Sequence, residues 1–271
     1  MTLGFPQLFS LKNKNVVLTG SVGKLGTRFS HILSEAGANV ILIDIEEKRN
    51  TNLEKVLRKK YHTNPLAITI DLFNEQEIQK MIPLILNKYK KIDALINNAH
   101  SVARTHPKKN SSFEDYPLEL WELMTTQNLR GLFLCTREIA KVMSRQKSGV
   151  IVNISSIHGM IGADQRIYGK TKLNSPVSYS VTKGAMVSFT KYLAAYWSGK
   201  DIRINTLTLG GVYDPKMHTD KSFVKKYSEK TILGRMANVD DYDGALVFLI
   251  SDSSRYMTGA NLVIDGGWTA W

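Results

Sequence analysis

The chain has 271 residues, 43% of them hydrophobic and 22% charged, and a formal net charge of +12. This is the composition of a globular protein that can bury a core, and it excludes a disordered or low-complexity chain. The single cysteine, Cys135, rules out an internal disulfide and suits a reducing compartment. The surplus lysines fall in short pairs without aromatic interleaving or zinc-ligand spacing, so the charge reads as solvation, with no nucleic-acid partner and no metal site expected.

Residues 1–15 lack the basic start, apolar run and cleavage site of a signal peptide. No stretch is long and apolar enough to span a bilayer; the best, 185–197, is interrupted by Lys191. A cytoplasmic protein with no membrane partner is expected.

In chain order, a strand over 15–19 leads to a helix over 24–36 that stops at Gly37. A strand over 40–44, a charged helix over 46–61, a strand over 66–70 and a helix over 74–89 follow. Then come a strand at 94–97, a long helix over 117–145, a strand over 149–154 and a helix over 176–197. The last predicted elements are a strand over 203–209, a helix over 240–250 and a strand over 261–264. Continuous β-branched runs signal strands buried on both faces, hence a parallel sheet covered by crossover helices. The expected fold class is α/β: one doubly wound Rossmann domain over 1–271, its seven-stranded sheet mostly or wholly parallel, with helices on both faces. Three polar stretches, 101–116, 157–175 and 213–230, follow strands. The crevice of such a sheet lies beyond its carboxyl edge, so these stretches are expected to wall a substrate pocket.

The first strand-to-helix turn carries Gly20, Gly23 and Gly26, with Lys24 and Leu25 between the last two. Glycines there allow a tight turn and close approach to a pyrophosphate resting on the helix N-terminus. Asp44 closes the second strand at close to the roughly 20-residue spacing expected for an acid that binds an adenosine ribose. A carboxylate at that place also suits a helix N-cap. It would repel a 2′-phosphate, and Ile45 rather than Arg follows it. NAD is therefore favoured, while Lys24, Lys48 and Arg49 leave NADP open.

Tyr179 and Lys183 share one face of the helix that opens after Pro176. A phenol titrates near 10, too high for a base at neutral pH, and a neighbouring ammonium would lower it.

Eight short motifs stand in order: the glycine-rich turn, Asp71-Leu72, Asn97-Asn-Ala-His100, Asn128-Leu-Arg-Gly131, Asn153-Ile-Ser-Ser156, Tyr179-Ser-Val-Thr-Lys183, Gly210-Gly-Val212 and Asp265-Gly-Gly267. Together they resemble the short-chain dehydrogenase/reductase family over nearly the whole chain. The resemblance implies that Tyr179 is the acid/base, that Lys183 binds the nicotinamide ribose and tunes it, and that Ser156 donates to the substrate oxygen. It implies that Asn128 holds a relay water, and that Gly20, Gly23, Lys24, Leu25 and Gly26 cradle the pyrophosphate. Asp71 and Leu72 would flank the adenine, Asn98 and Ala99 the adenosine ribose, and Gly210 and Val212 the nicotinamide. The implied assembly is a homodimer or homotetramer.

Three features depart from the compact family pattern. Gly23 is shifted and Lys24 fills a usual glycine slot; this spacing resembles an extended subgroup whose C-terminal domain has no room here. His100 replaces a usual Gly and Leu209 a usual Pro. Finally, Tyr168 and Lys172 form a second Tyr-x-x-x-Lys pair nearer to Ser156. Gly169 and Pro176 disfavour a helix there, so Tyr179 is preferred, the longer gap being an insertion of about ten residues in the substrate wall.

The expected activity is hydride transfer between nicotinamide and a carbonyl or secondary alcohol on a small polar, sugar-derived substrate, with phosphorylated or nucleotide-linked sugars included. The 157–175 segment and the C-terminal Trp268 to Trp271 resemble family members of bacterial surface-sugar and flagellin-glycan pathways. The alternatives are a 3-oxoacyl thioester reductase and a non-catalytic dinucleotide-binding regulatory protein.

Overall fold

The computed structural model describes residues 4–101, 106–169 and 174–271. The chain opens with a short helix, α1 (Phe5–Phe9). It then alternates β1 (Asn15–Thr19), α2 (Lys24–Glu35), β2 (Asn39–Asp44), α3 (Glu47–Tyr61), β3 (Leu66–Thr69), α4 (Glu75–Tyr89) and β4 (Ala94–Asn97). The second half contributes α5 (Leu118–Gln146), β5 (Gly149–Ser156), α6 (Val177–Tyr196), β6 (Ile202–Leu209), α7 (Lys221–Glu229), α8 (Asp243–Ile250) and β7 (Asn261–Ile264).

The seven strands form one sheet in the order β3-β2-β1-β4-β5-β6-β7, and every neighbouring pair is parallel. The sheet is therefore wholly parallel. All five residues of β1 are buried, because alternate side chains serve the two faces. Val16 and Leu18 pack with Phe29 and Leu33 of α2, Leu53 and Leu57 of α3, and Leu246 and Leu249 of α8. Val17 enters the opposite layer, with Ile78 and Met81 of α4, Cys135 and Ile139 of α5, and Leu193 of α6. Cys135 is buried core, and that burial pushes its thiol up to about 12, far from nucleophilic use.

Three differences from the predicted elements bear on the site. β5 continues past residue 154, because Ser155 and Ser156 still pair with Thr208 and Leu209 of β6. The predicted wall segment 213–230 contains α7, whose Phe223 and Tyr227 are buried. The last predicted helix starts at Asp243, three residues later than expected.

After β1 the chain builds β2 and β3 on one side, then crosses back to place β4 on the other. Connections diverge at that point and leave a crevice beyond the carboxyl ends of β1 and β4.

Candidate active site

One wall of the crevice is the turn between β1 and α2. Gly20 has φ +66°, and a Cβ there would lie 2.8 Å from the Ala99 Cα; a Cβ on Gly26 would lie 1.9 Å from the Gly20 carbonyl oxygen. Only glycine fits either place. Thr19, which sequence reasoning did not single out, fastens this turn to the exit of β4. Its hydroxyl oxygen accepts from the Asn98 and Ala99 backbone N–H groups, each at 3.0 Å. Asn98 Nδ2 donates to the Thr19 and Gly20 carbonyls at 3.0 and 3.1 Å. α2 then starts with Gly23 as N-cap, and no side chain caps its first turn. That leaves the helix start available to an anion.

Asp44 ends β2, and its carboxylate accepts from Val22 N–H at 3.1 Å and Glu46 N–H at 3.2 Å. The N-cap of α3 is Glu46, so Asp44 braces the glycine-rich turn instead of capping that helix. Asp71 is exposed beyond β3 and accepts from Phe73 N–H at 2.9 Å. Leu72 lies against Gly131, where a Cβ would come within 3.4 Å of it. Lys24 reaches away from the turn: its ammonium pairs with Asp214 at 3.3 Å and donates to the Tyr213 carbonyl, joining α2 to the 213–230 segment. Beyond β6, Gly210 N–H donates to the Ile264 carbonyl at 2.9 Å, and Val212 bridges to Ala237. Two obligatory glycines, an uncapped helix start and a carboxylate at the end of β2 fit the pyrophosphate and ribose of a dinucleotide.

The other end of the crevice carries Ser156, Tyr179 and Lys183. Ser156 closes β5, its hydroxyl oxygen accepts from His158 N–H at 3.3 Å, and it lines the same cavity as Tyr179. Lys183, one helical turn after Tyr179, is 4% exposed. Its Nζ donates to the Ile154 carbonyl at 2.8 Å and lies 5.9 Å from the Tyr179 ring centroid. Two residues missed in the sequence set this register. Ser155 Oγ donates to the Lys183 carbonyl at 2.8 Å. At Gly159 a Cβ would lie 2.6 Å from the Lys183 carbonyl carbon, so its absence lets the turn after β5 rest on the α6 backbone.

The electrostatics differ from the simple expectation of an ammonium lowering a phenol. In the free chain, burial raises Tyr179 above the ordinary phenol value, and the nearby Ser156 hydroxyl draws it only partly back. Burial lowers Lys183 to about 7. Desolvation thus favours the neutral form of both groups, and an ionised pair needs charge from a bound partner.

Asn128 is buried, and its amide is engaged by protein. Oδ1 accepts from Ser101 N–H at 2.7 Å, and Nδ2 donates to the Ser101 and Met124 carbonyls at 3.0 and 2.9 Å. Its side chain clamps the segment after β4.

Ser156, Tyr179 and Lys183 line a cavity of about 440 Å³ together with Leu25, Asn98, Gly210 and Val212. His158, Tyr168, Asn174 and Ser175 come from the 157–175 segment, and His218, Phe223 and Tyr227 from 213–230. Among the described residues of 101–116 none lines it. His100 also lines it and meets the Tyr179 ring edge-on, with centroids 5.1 Å apart. Desolvation and the Lys183 ammonium hold His100 well below the usual imidazole range. On the competing pair, Tyr168 stacks on Phe223 at 5.4 Å, while Lys172 lies outside the described residues. Buried Leu209 continues β6 where a usual proline would stand, and it lines the same cavity.

A family model described as Enoyl-(Acyl carrier protein) reductase matches residues 23–269. The chain is 29% identical to Post-translational flagellin modification protein A of Campylobacter coli, over 95% of this chain and 99% of that protein. It is 30% identical to an NAD-dependent glycerol dehydrogenase of Listeria innocua, over 98% of each chain. It superimposes with a TM-score of 0.87 on a gluconate 5-dehydrogenase of Burkholderia cenocepacia in complex with NADP and tartrate, at 25% identity over 99% of this chain and 100% of that one.

Proposed function

The chain belongs to the short-chain dehydrogenase/reductase family, as an oxidoreductase of CH–OH groups using a nicotinamide dinucleotide, and on that premise we propose that it interconverts a secondary alcohol and a ketone on a small hydroxylated, sugar-derived substrate. The observation that carries this reading is the convergence of Ser156, Tyr179 and Lys183 in a cavity that also reaches Asn98, Gly210 and Val212.

A nicotinamide dinucleotide held in this crevice would supply or accept the hydride. In the oxidising direction the carbinol C–H bond breaks, its electron pair leaving with the hydride, and the O–H proton passes to Tyr179. In reduction Ser156 donates to the carbonyl oxygen, where negative charge builds, and Tyr179 returns the proton. Lys183 lies beside the phenol, and its ammonium offsets the desolvation that holds Tyr179 protonated. Gly20, Gly23, Leu25 and Gly26 form the pyrophosphate cradle, and Lys24 links it to the wall through Asp214. Asp44 accepts from the adenosine ribose, which favours NAD over NADP. Asp71, Leu72, Asn98 and Ala99 border the adenosine, Gly210 and Val212 the nicotinamide, and Asn128 fixes the loop between them. Exposed Phe133 on α5 and Tyr192 and Tyr196 on α6 provide apolar faces for a homodimer or homotetramer.

His158, Asn174 and Ser175 place polar groups among the Ile157, Phe223 and Met236 side chains of the wall, which supports a hydroxylated substrate over an acyl chain. A panel of polyols, keto sugars and 3-oxoacyl thioesters, followed by nicotinamide absorbance, tests this. Turnover should appear with the polyols and keto sugars. Activity confined to thioesters would select the reductase alternative, and cofactor binding without any turnover would select the regulatory one.

A further inference from the structure

The chain departs from the compact family pattern at Lys24, which fills a usual glycine slot, and hydride transfer makes no use of its amine. Lys24 is the first residue of α2, at the helix start that no side chain caps. Its ammonium lies 3.3 Å from the Asp214 carboxylate and donates to the Tyr213 carbonyl. A glycine could make neither contact.

Asp214 organises the start of the 213–230 wall. Its carbonyl accepts from His218 N–H at 2.7 Å and from Met217 N–H at 3.0 Å. Its Oδ1 accepts from Lys216 N–H at 3.0 Å, and its own N–H donates to His218 Nδ1 at 3.0 Å. Both backbone groups and one carboxylate oxygen thus close the 214–218 turn, while the other oxygen, Oδ2, meets Lys24. The Lys216 N–H and the Lys24 ammonium hold the Asp214 carboxyl below its usual range, so the pair is ionised at neutral pH.

The turn carries the wall with it. A backbone N–H only donates, so His218 Nδ1 is an acceptor and the ring orientation follows from the turn. The His218 ring lies 5.3 Å from Phe223 of α7, and Phe223 stacks on Tyr168 at 5.4 Å. His218, Phe223 and Tyr168 line the cavity that holds Ser156 and Tyr179, whereas Lys24 and Asp214 do not. A series of contacts therefore runs from the start of α2 to the substrate wall.

We propose that Lys24 and Asp214 are positioning residues, their ion pair registering the 213–230 wall against the helix start that receives the dinucleotide. Substrate affinity then depends on a charge pair outside the cavity. This rests on the oxidoreductase reading above and deepens it.

The first measurement needs no substrate. In the full chain without cofactor, hydrogen exchange at the Met217 and His218 amides is followed by NMR. It should speed up about two- to five-fold in Lys24→Met and in Asp214→Asn, whose amide oxygen still accepts from Lys216. Lys24→Arg, which keeps the charge, should exchange like the unsubstituted protein. The second measurement follows turnover of glycerol, xylitol and the rest of the panel above with saturating NAD or NADP. For the fastest substrate, KM should rise about two- to five-fold in Lys24→Met and Asp214→Asn, more than kcat or cofactor Kd changes. The double variant should cost no more than either single one. Exchange untouched by the substitutions, or additive losses in the double variant, would overturn the proposal. So would a cofactor Kd that rises in Lys24→Met alone, which would make Lys24 a phosphate ligand. Those results leave the oxidoreductase reading standing. Failure to turn over any alcohol or ketone, with the exchange effects intact, would remove that reading and the pair's role in substrate binding together.

Discussion

Lys183 carries an amine that the fold has taken almost wholly out of water, with the Ile154 carbonyl as its close oxygen partner. Burial lowers it to about 7, whereas an unfolded lysine titrates near 10.4. Between those values the unfolded chain binds more protons than the folded one, so stability rises as pH climbs from about 7 toward 10. Below 7 the full cost of burying the charge remains. Lys183→Met keeps the volume and removes that cost. The Ile154 carbonyl loses a donor worth about 1 kcal/mol, the smaller effect. Thermal melts should therefore show a higher melting temperature for the variant at pH 6, a flatter profile from pH 7 to 10, and turnover reduced at least ~10²-fold. A second residue-level prediction concerns Asp44. Asp44→Ala removes a ribose acceptor and a charge that repels a 2′-phosphate, so measured Kd values should shift toward NADP by roughly ten-fold. Some loss for both cofactors is expected, since Asp44 also braces Val22. A larger loss for NADP would contradict the assignment.

At the scale of elements, catalysis depends on how α6 docks on the end of β5. Gly159 sits between them, and a side chain there has no room against the Lys183 backbone. Gly159→Val should destabilise the chain by about 1–3 kcal/mol through overpacking. It should also displace Lys183 and Tyr179 from Ser156, so that kcat falls more than KM changes; retention of both stability and kcat would refute this docking. This contact illustrates what the sequence could and could not reveal. The buried strands announce themselves as unbroken apolar runs, and the long helices by their period. Gly159 looks like any glycine after a strand, because its need is a tertiary approach with no local signature. α7 escaped prediction for a related reason. Phe223 and Tyr227 lie four apart among lysines, a stripe too short to stand out from a polar loop. Thr19 and Ser155 act through hydrogen bonds to segments distant in sequence, Thr19 to the exit of β4 and Ser155 to α6. The glycine-rich turn, Ser156, Tyr179 and Lys183 were legible because their spacing is local and their order along the chain is shared with a known family.

For the molecule as a whole, the sheet order brings residues from the first strand and the sixth helix to one crevice. At one end lie the glycines and Asp44, at the other the hydroxyls and the amine. The two His rings flanking Tyr179 were not legible, since a lone histidine in a loop carries no signal until its neighbours are known. The same holds for Tyr168. Its distance along the chain from Ser156 suits a catalytic pair better than that of Tyr179, yet it packs on Phe223 across the wall. The mechanism therefore turns on which of two phenols moves the proton. Steady-state turnover of Tyr179→Phe and Tyr168→Phe, each with its cofactor affinity, decides this most directly. Tyr179→Phe should lose turnover by ~10²–10⁴-fold with cofactor affinity nearly intact, and Tyr168→Phe should lose far less. Turnover that survives in Tyr179→Phe and collapses in Tyr168→Phe would contradict it.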